Sequence, residues 1–346
     1  MWILILCLIL VVIVTKTQKN HHNIERCAEG KNFYETVDET IKREKSQKII
    51  RYVISYSFLI FFALFMLLPF YWMIITSLKT EAEISLLRPT FFPKEFAWEN
   101  YKYVLSAKYQ WESSGKIGSF DDFQARFDLW RYMYNTLVVG VISTIGTLVT
   151  TVMAAFAFSR IKFPGREFLF TLFLATMMVP GEMMVITNYI TVTKTAKDIF
   201  GITGIDSYWA MIVPFLISVY YIYLLRQNFR QIPNELYYAA KVDGTSDLKY
   251  LIKIMVPIAM PTLITITILK LMGSWNAYVW PMMITRSADK RLITTGLRLG
   301  FSDSEGRSVQ GRQMAAAAVV TAPLLIMFIL LRKYIMRGVS RSGIKG

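Results

Sequence analysis

Two groups of residues in this chain have types and spacings that could do chemistry. The first is a polar segment between two apolar runs, Gln231-Ile-Pro-Asn-Glu-Leu-Tyr-Tyr-Ala-Ala-Lys-Val-Asp-Gly244, which continues to Pro257 and Pro261. It carries helix punctuation. Pro233 suits a first helical turn, where a missing N–H costs nothing. Gly244 suits the left-handed residue that ends a helix. Between them Leu236, Ala239, Ala240 and Val242 give an apolar face too short and small-sided to fill a core. Thr245 or Ser246 can cap a second helix running through Leu248, Leu251 and Ile252 into the next apolar run. The expected product is a rigid helix–turn–helix knob. On physics alone it is equally a plug for a partner's cleft or an ordinary connector.

The second group lies inside the apolar runs. Glu182 follows the helix breaker Pro180-Gly181, Lys270 sits mid-run, and Gly273-Ser-Trp-Asn276 follows it. A lysine at membrane depth costs about 2.5–3.5 kcal/mol on insertion scales, so Lys270 should face a bundle or a cavity. Asn276 offers donors and an acceptor. Trp275 and Trp280 could stack on a sugar face or pack. Together Glu182, Lys270, Trp275 and Asn276 point to a polar pathway. Singly, each also fits a structural role: a snorkelling glutamate, an interhelical lysine, an asparagine between helices.

Much chemistry is missing. No Gly-x-x-x-x-Gly-Lys-Ser/Thr occurs: Gly30-Lys31 and Gly115-Lys116 lack the upstream glycine and the hydroxyl residue. The chain is therefore not expected to bind or split ATP. It has no His-Glu-x-x-His, no Gly-x-Ser-x-Gly and no plausible carboxylate pair in the apolar runs, which argues against an enzyme. Cys7 and Cys27 have neither metal-ligand nor redox spacing, and His21 and His22 are neighbours in a polar linker. No cofactor or metal site is expected.

The elements that must hold these residues are membrane helices. Of the 346 residues, 54% are hydrophobic and 18% charged, against about a quarter charged in soluble domains. Apolar runs cover Tyr52–Thr76, Asn135–Phe158, Phe168–Ile190, Tyr208–Leu225, Ile254–Ile284 and Met314–Met336. Each approaches or exceeds the roughly 20 residues that cross a bilayer as a helix, and none alternates as a barrel strand would. An all-α membrane protein with six spans is expected. The net charge of +15 is scattered through loops, so a nucleic-acid partner is rejected in favour of a bilayer with basic loops on its cytoplasmic side. Lys42–Arg51, Arg160–Arg166, Arg226–Lys253 and Arg332–Lys345 fall on one side if six spans exist, which makes the C-terminus cytoplasmic. Residues 1–50 read as an extension. Its apolar stretch Met1–Thr15 is short for a span and is a further N-terminal hydrophobic segment. Residues 108–127 read as an outer insertion, either a contact element or a tolerated loop.

The motifs have a family's order. Tyr238-Ala-Ala240, Asp243-Gly244 and Ile254-Met-Val-Pro257, preceded by Arg226-Gln-Asn-Phe-Arg-Gln-Ile-Pro233 and Glu235-Leu236, resemble the cytoplasmic loop of permease subunits of binding-protein-dependent ABC importers. Ala155-Phe-Ala-Phe-Ser-Arg-Ile-Lys-Phe-Pro-Gly165, Pro180-Gly-Glu182, Gly273-Ser-Trp-Asn276, Trp280-Pro281 and Gly343-Ile-Lys-Gly346 narrow the likeness to the carbohydrate branch, relatives of the maltose permease's second membrane subunit. The resemblance covers roughly Lys45 to Gly346. It implies a six-helix type I ABC importer transmembrane domain over 51–346, in a bacterial cell membrane. It implies a second homologous permease, two ATPase subunits carrying ATP and magnesium, an external solute-binding protein and a carbohydrate substrate. A non-sugar solute such as a glycerol phosphate ester is the alternative, and a membrane enzyme a more distant one. The loop 231–261 would then couple to the ATPase through Ala239, Ala240, Asp243 and Gly244. Tyr238 departs from the family's usual glutamate, with Glu235 one turn earlier as a substitute. Ile344-Lys-Gly346 would lie near the ATPase, and 286–312 against the binding protein.

Overall fold

The computed structural model describes residues 33–114, 127–201, 204–301 and 309–340. The expectations for Met1–Thr15, the cysteines and histidines, most of the 108–127 insertion, part of 286–312 and the C-terminal Gly343–Gly346 lie outside them. The chain divides into two units, 1–71 and 72–346. In the first, residues 33–71 belong to one long helix, α1 (Phe33–Ser77). Its apolar side chains from Tyr52 to Tyr71 are exposed. A helix apolar all round has no face to give a small core and belongs in lipid or against other helices.

The described part of the second unit is helical, with no strand among the described residues. Its outer part holds α2 (Glu99–Leu105) and α3 (Ala107–Ser113). The membrane part comprises α4 (Leu129–Ser159), α5 (Arg166–Thr176), α6 (Met184–Ile190), α7 (Tyr208–Ile212), α8 (Val219–Gln231), α9 (Asn234–Val242), α10 (Asp247–Tyr250), α11 (Met260–Trp275), α12 (Val279–Ile284), α13 (Ile293–Leu299) and α14 (Gln310–Ser340). Three helices are long and apolar enough to cross a membrane unbroken, ending at Ser77, spanning Leu129–Ser159 and starting at Gln310. Three further spans are bent pairs: 166–176 with 181–199 by 78°, 208–215 with 219–231 by 46°, and 247–258 with 260–275 by 80°. The six apolar runs thus match up to six spans, half of them broken.

Each break follows a proline. Pro180 precedes a 3₁₀ turn at Gly181–Met183. Pro214 lies in a 3₁₀ turn before the bend into α8. Pro257 and Pro261 flank Ala259, where the third pair turns. The helix expected to run from Ser246 through Ile252 into span five is therefore not one regular helix. A π-helical turn at Leu251–Met255 and the 80° bend intervene, because two prolines remove two N–H donors from consecutive turns.

The hub is α4, which packs on α8 and α11. One core cluster, with Phe156, Leu225, Phe229, Tyr250 and Met255, lies towards the ends of α4 and α8. A second joins Tyr103, Phe127, Tyr132, Trp275 and Phe301. Gly296 of α13 lets that packing close, since a Cβ there would meet the Tyr132 ring at 2.2 Å. The outer part is tied to α14 by the Gly311 N–H, which donates to Glu81 Oε1 at 2.8 Å. Within it, Thr90 Oγ1 and the Lys94 N–H both donate to the Glu83 carboxylate.

Candidate functional site: a knob and a cleft

The 231–261 segment folds as a knob. Pro233 takes the N-cap with ψ 141°, one position before the expected first turn, a shift within the usual blur of helix ends. Helix α9 ends as expected at Gly244, whose φ is +69°. The Gly244 N–H donates to Lys241 O at 3.1 Å and the Thr245 N–H to Ala240 O at 2.9 Å, which closes the last turn by a Schellman pair. Ser246, not Thr245, then caps α10 by accepting from the Lys249 N–H. Tyr237 Oη donates to Asp247 Oδ1 at 2.8 Å, and Lys241 Nζ lies 2.8 Å from the same oxygen. The Tyr237 ring meets Tyr250 edge-on at 5.1 Å. The two helices are therefore braced by side chains as well as by the turn.

The small apolar face of α9 is divided. Ala240 is buried against the bundle, while Leu236, Tyr238, Ala239 and Val242 are exposed, Val242 at 89%. Glu235, Asp243 and Gly244 are also exposed. Nothing lies within 4 Å of where a Gly244 side chain would start, so the glycine answers the positive φ alone.

Two arginines lock α4 to α8, and one of them also holds the start of the knob. Arg160, which caps α4, is 7% exposed. It donates to Phe229 O at 2.9 Å, to Ile232 O at 2.5 Å and to Asn234 Oδ1, so it grips the α8–α9 junction. Arg226, on α8, reaches back the other way. It donates to Phe158 O at 3.0 Å and to both Glu167 oxygens, at 2.8 and 2.7 Å, and its guanidinium lies 3.8 Å from the Phe170 ring centre. Each arginine thus satisfies carbonyls at the other's helix end, a reciprocal clasp. The signal in the sequence was the placement of each arginine at the end of an apolar run.

The second site is a cleft of about 740 Å³ lined by, among others, Ser143, Glu182, Phe215, Tyr221, Lys270 and Trp280. Glu182 and Lys270 are brought to it together, with no ion pair between them among the described contacts. Trp275 and Asn276 are not. Trp275 is 8% exposed in the second core cluster, and Asn276 caps α11 by donating from Nδ2 to Met272 O at 3.0 Å. Trp280 is pinned, its Nε1–H donating to Ala210 O at 3.0 Å.

Lys270 has a physical reason to be there. The break after Phe215 frees backbone carbonyls in an apolar setting, where an unmet carbonyl is costly. Lys270 Nζ donates to Phe215 O at 2.8 Å and Thr147 Oγ1 to the same oxygen at 3.2 Å, while Thr150 Oγ1 takes Leu216 O at 2.7 Å. Gly146 allows this approach, because a Cβ there would come 2.5 Å from Leu216 Cδ2. Outside the cleft lining, Asp206 sits at φ +55° and accepts from the Arg286 and Ser287 N–H groups at 2.7 and 2.9 Å. Partial burial pushes its carboxyl up, but those N–H donors outweigh it and hold it below the usual aspartate value.

Comparison with known proteins agrees with this architecture. A family described as binding-protein-dependent transport system inner membrane component matches residues 146–341. The inner membrane ABC transporter permease protein YcjP of Escherichia coli (strain K12) is 29% identical over 84% of this chain and 95% of its own. The arabinooligosaccharides transport system permease protein AraQ of Bacillus subtilis (strain 168) is 27% identical over 84% and 94%. The sn-glycerol-3-phosphate transport system permease protein UgpE of Brucella abortus (strain 2308) is 24% identical over 84% and 97%. In fold, a chain from the crystal structure of a bacterial ABC transporter involved in the import of the acidic polysaccharide alginate superposes with a TM-score of 0.67 at 24% identity, covering 84% of this chain and 97% of that one. The chain belongs to the binding-protein-dependent transport system inner membrane components, as a multi-pass permease subunit of an ABC importer.

Proposed function

We propose that this permease carries a carbohydrate across a bacterial cell membrane beside a second homologous permease, two cytoplasmic ATPase subunits that hold ATP and magnesium, and an external solute-binding protein. The observation that carries the reading is the knob: exposed Leu236, Tyr238 and Val242 on a short helix held at its start by Arg160, at an α4–α8 junction that Arg226 also locks. A body so fastened moves with the spans, so a push on α9 reaches α4, whose Ser143 lines the cleft. Alternating access then follows by rocking of rigid helices. The knob and the C-terminus face the cytoplasm. Glu235, Tyr238, Ala239, Ala240, Asp243 and Gly244 form the coupling surface, and Glu182 and Lys270 the polar part of the pathway.

The carbohydrate assignment leans on AraQ and on the motifs of the carbohydrate branch. A second reading, an anionic solute such as a glycerol phosphate ester, is favoured by Lys270 in the cleft and by the likeness to UgpE. The test is uptake in proteoliposomes holding the full complex. Deleting Glu235–Gly244 should abolish ATP-driven uptake while the chain still inserts; normal uptake would end the coupling reading. Competition by arabino-oligosaccharides against sn-glycerol 3-phosphate separates the two substrates.

A further inference from the structure

Tyr238 stands where the family's acid is usual, and nothing above explains it. It lines a second cavity, of about 520 Å³, between the α4–α5 turn and α9. The charged lining is Arg160, Lys162, Arg166, Arg230 and Lys241, with no aspartate or glutamate among the lining residues. Two of the five are already matched: Arg166 pairs with Glu167 and Lys241 with Asp247, carboxylates outside the lining. Arg160, Lys162 and Arg230 have no carboxylate partner among the described residues. Arg160 is 7% exposed, spends its terminal nitrogens on neutral oxygens and leaves its Nε–H buried with no acceptor. A buried guanidinium without an opposing charge is costly unless an anion visits it.

From this geometry we infer that the cavity is a binding site for a phosphate-bearing anion. Several cations converging on one concave space fit a group with several acceptor oxygens, and arginine suits phosphate through its planar fork of donors. The place fits too. α4 ends and α5 begins at this rim, where spans leave the hydrocarbon and basic pockets between helices meet lipid headgroups. Tyr238 then has a role that a glutamate could not fill. Its hydroxyl can donate to the anion, whereas a carboxylate would neutralise the pocket from within. The same phosphate chemistry can come from an anionic lipid headgroup or from soluble phosphate.

The test uses the purified full chain in phosphatidylcholine nanodiscs, followed by its apparent melting temperature. One arm adds inorganic phosphate against chloride at fixed ionic strength. The other replaces part of the lipid with phosphatidylglycerol. The variants are the double substitution Lys162→Gln/Arg230→Gln, at exposed positions without partners, and Tyr238→Glu. Without phosphate in phosphatidylcholine the double variant should melt as the wild type does, and Tyr238→Glu should melt no lower, because its carboxylate supplies the opposing charge. A rise with phosphate in the wild type assigns the soluble source, and a rise with phosphatidylglycerol alone assigns the headgroup. In either case the double variant should bind about 2–30-fold more weakly, the loss expected from two exposed ion pairs. Tyr238→Glu should weaken binding in the same direction. No rise in either arm, or an equal rise in wild type and variants, overturns the inference. Weaker ATPase binding by the variants without any anion effect also overturns it, in favour of a protein carboxylate as the cavity's occupant.

Discussion

Arg160→Ala tests the clasp most directly. The side chain makes three hydrogen bonds across the α4, α8 and α9 ends, to Phe229 O, Ile232 O and Asn234 Oδ1. A hydrogen bond involving a charged partner contributes about 1.5–3 kcal/mol net. The three do not add in full. Phe229 O keeps the Ile232 N–H at 3.2 Å, and Asn234, exposed at the surface, can turn to water. The expected loss is therefore about 3–5 kcal/mol, in the high tail for single substitutions, where broken buried networks fall. In a chain of this size that lowers the apparent melting temperature by roughly 6–15 °C, at ~2–3 °C per kcal/mol. Arg160→Lys keeps the charge but reaches at most part of the fork, so it should fall between. The assay is thermal unfolding in detergent by near-ultraviolet circular dichroism, with hydrogen exchange over residues 229–242. Exchange should rise in Arg160→Ala there before it rises in α4. Melting within about 1 °C of wild type, with unchanged exchange, would refute the clasp as the element that holds the knob.

Gly296→Ala drives a methyl group into the Tyr132 ring, which is 1% exposed and has no room to turn; a loss of about 1–3 kcal/mol is expected in thermal unfolding. Lys270→Met should melt close to wild type, because Thr147 Oγ1 still serves Phe215 O, yet slow uptake in proteoliposomes. Thr147→Val combined with it should cost about 1–3 kcal/mol more by orphaning that carbonyl. Glu83 is held below the ordinary glutamate value by the Thr90 hydroxyl; burial opposes this, and the Lys94 N–H and Lys79 add to it. A lowered folded pKa contributes stability that is complete above the ordinary value of 4.5 and is lost as pH falls through the folded one. Hydrogen exchange over 81–94 should therefore quicken only below about pH 4.5, and Glu83→Gln should remove that step.

The sequence carried the spans and the knob because both are written locally. Apolar runs of span length and the pair Pro233 and Gly244 act within one segment. The 80° turn at Ala259 was half legible: Pro257 and Pro261 announced a break but not its angle, which depends on packing against α4 and α14. Trp275 and Asn276 were read with Lys270 because they are close in sequence. On a helix, five and six residues from Lys270 put them on other faces, and only tertiary contacts decide which face meets the core. The contacts of Arg160 and Arg226 are illegible for a related reason. A basic residue at the end of an apolar run looks the same whether it faces headgroups or a neighbour's carbonyls.

That ambiguity bears on how the two sites communicate. A broken span frees carbonyls, and each freed carbonyl must be met by a donor from another helix. At Phe215 and Leu216 the donors come from α4 and α11; at Phe158, Phe229 and Ile232 they come from arginines at the end of α4 and within α8. Helix α4 takes part in both sets, and its length from Thr147 to Arg160 is uninterrupted helix. Displacing the knob therefore strains donors at the clasp first and those at the cleft next, through one continuous rod. An interruption within that rod is the discriminating change. Val152→Pro would leave both sets of donors in place chemically but hinge the helix between them. On the proposed coupling, uptake should then collapse while ATPase binding to the knob persists. Retained uptake in that variant would mean that the coupling runs through α8 alone.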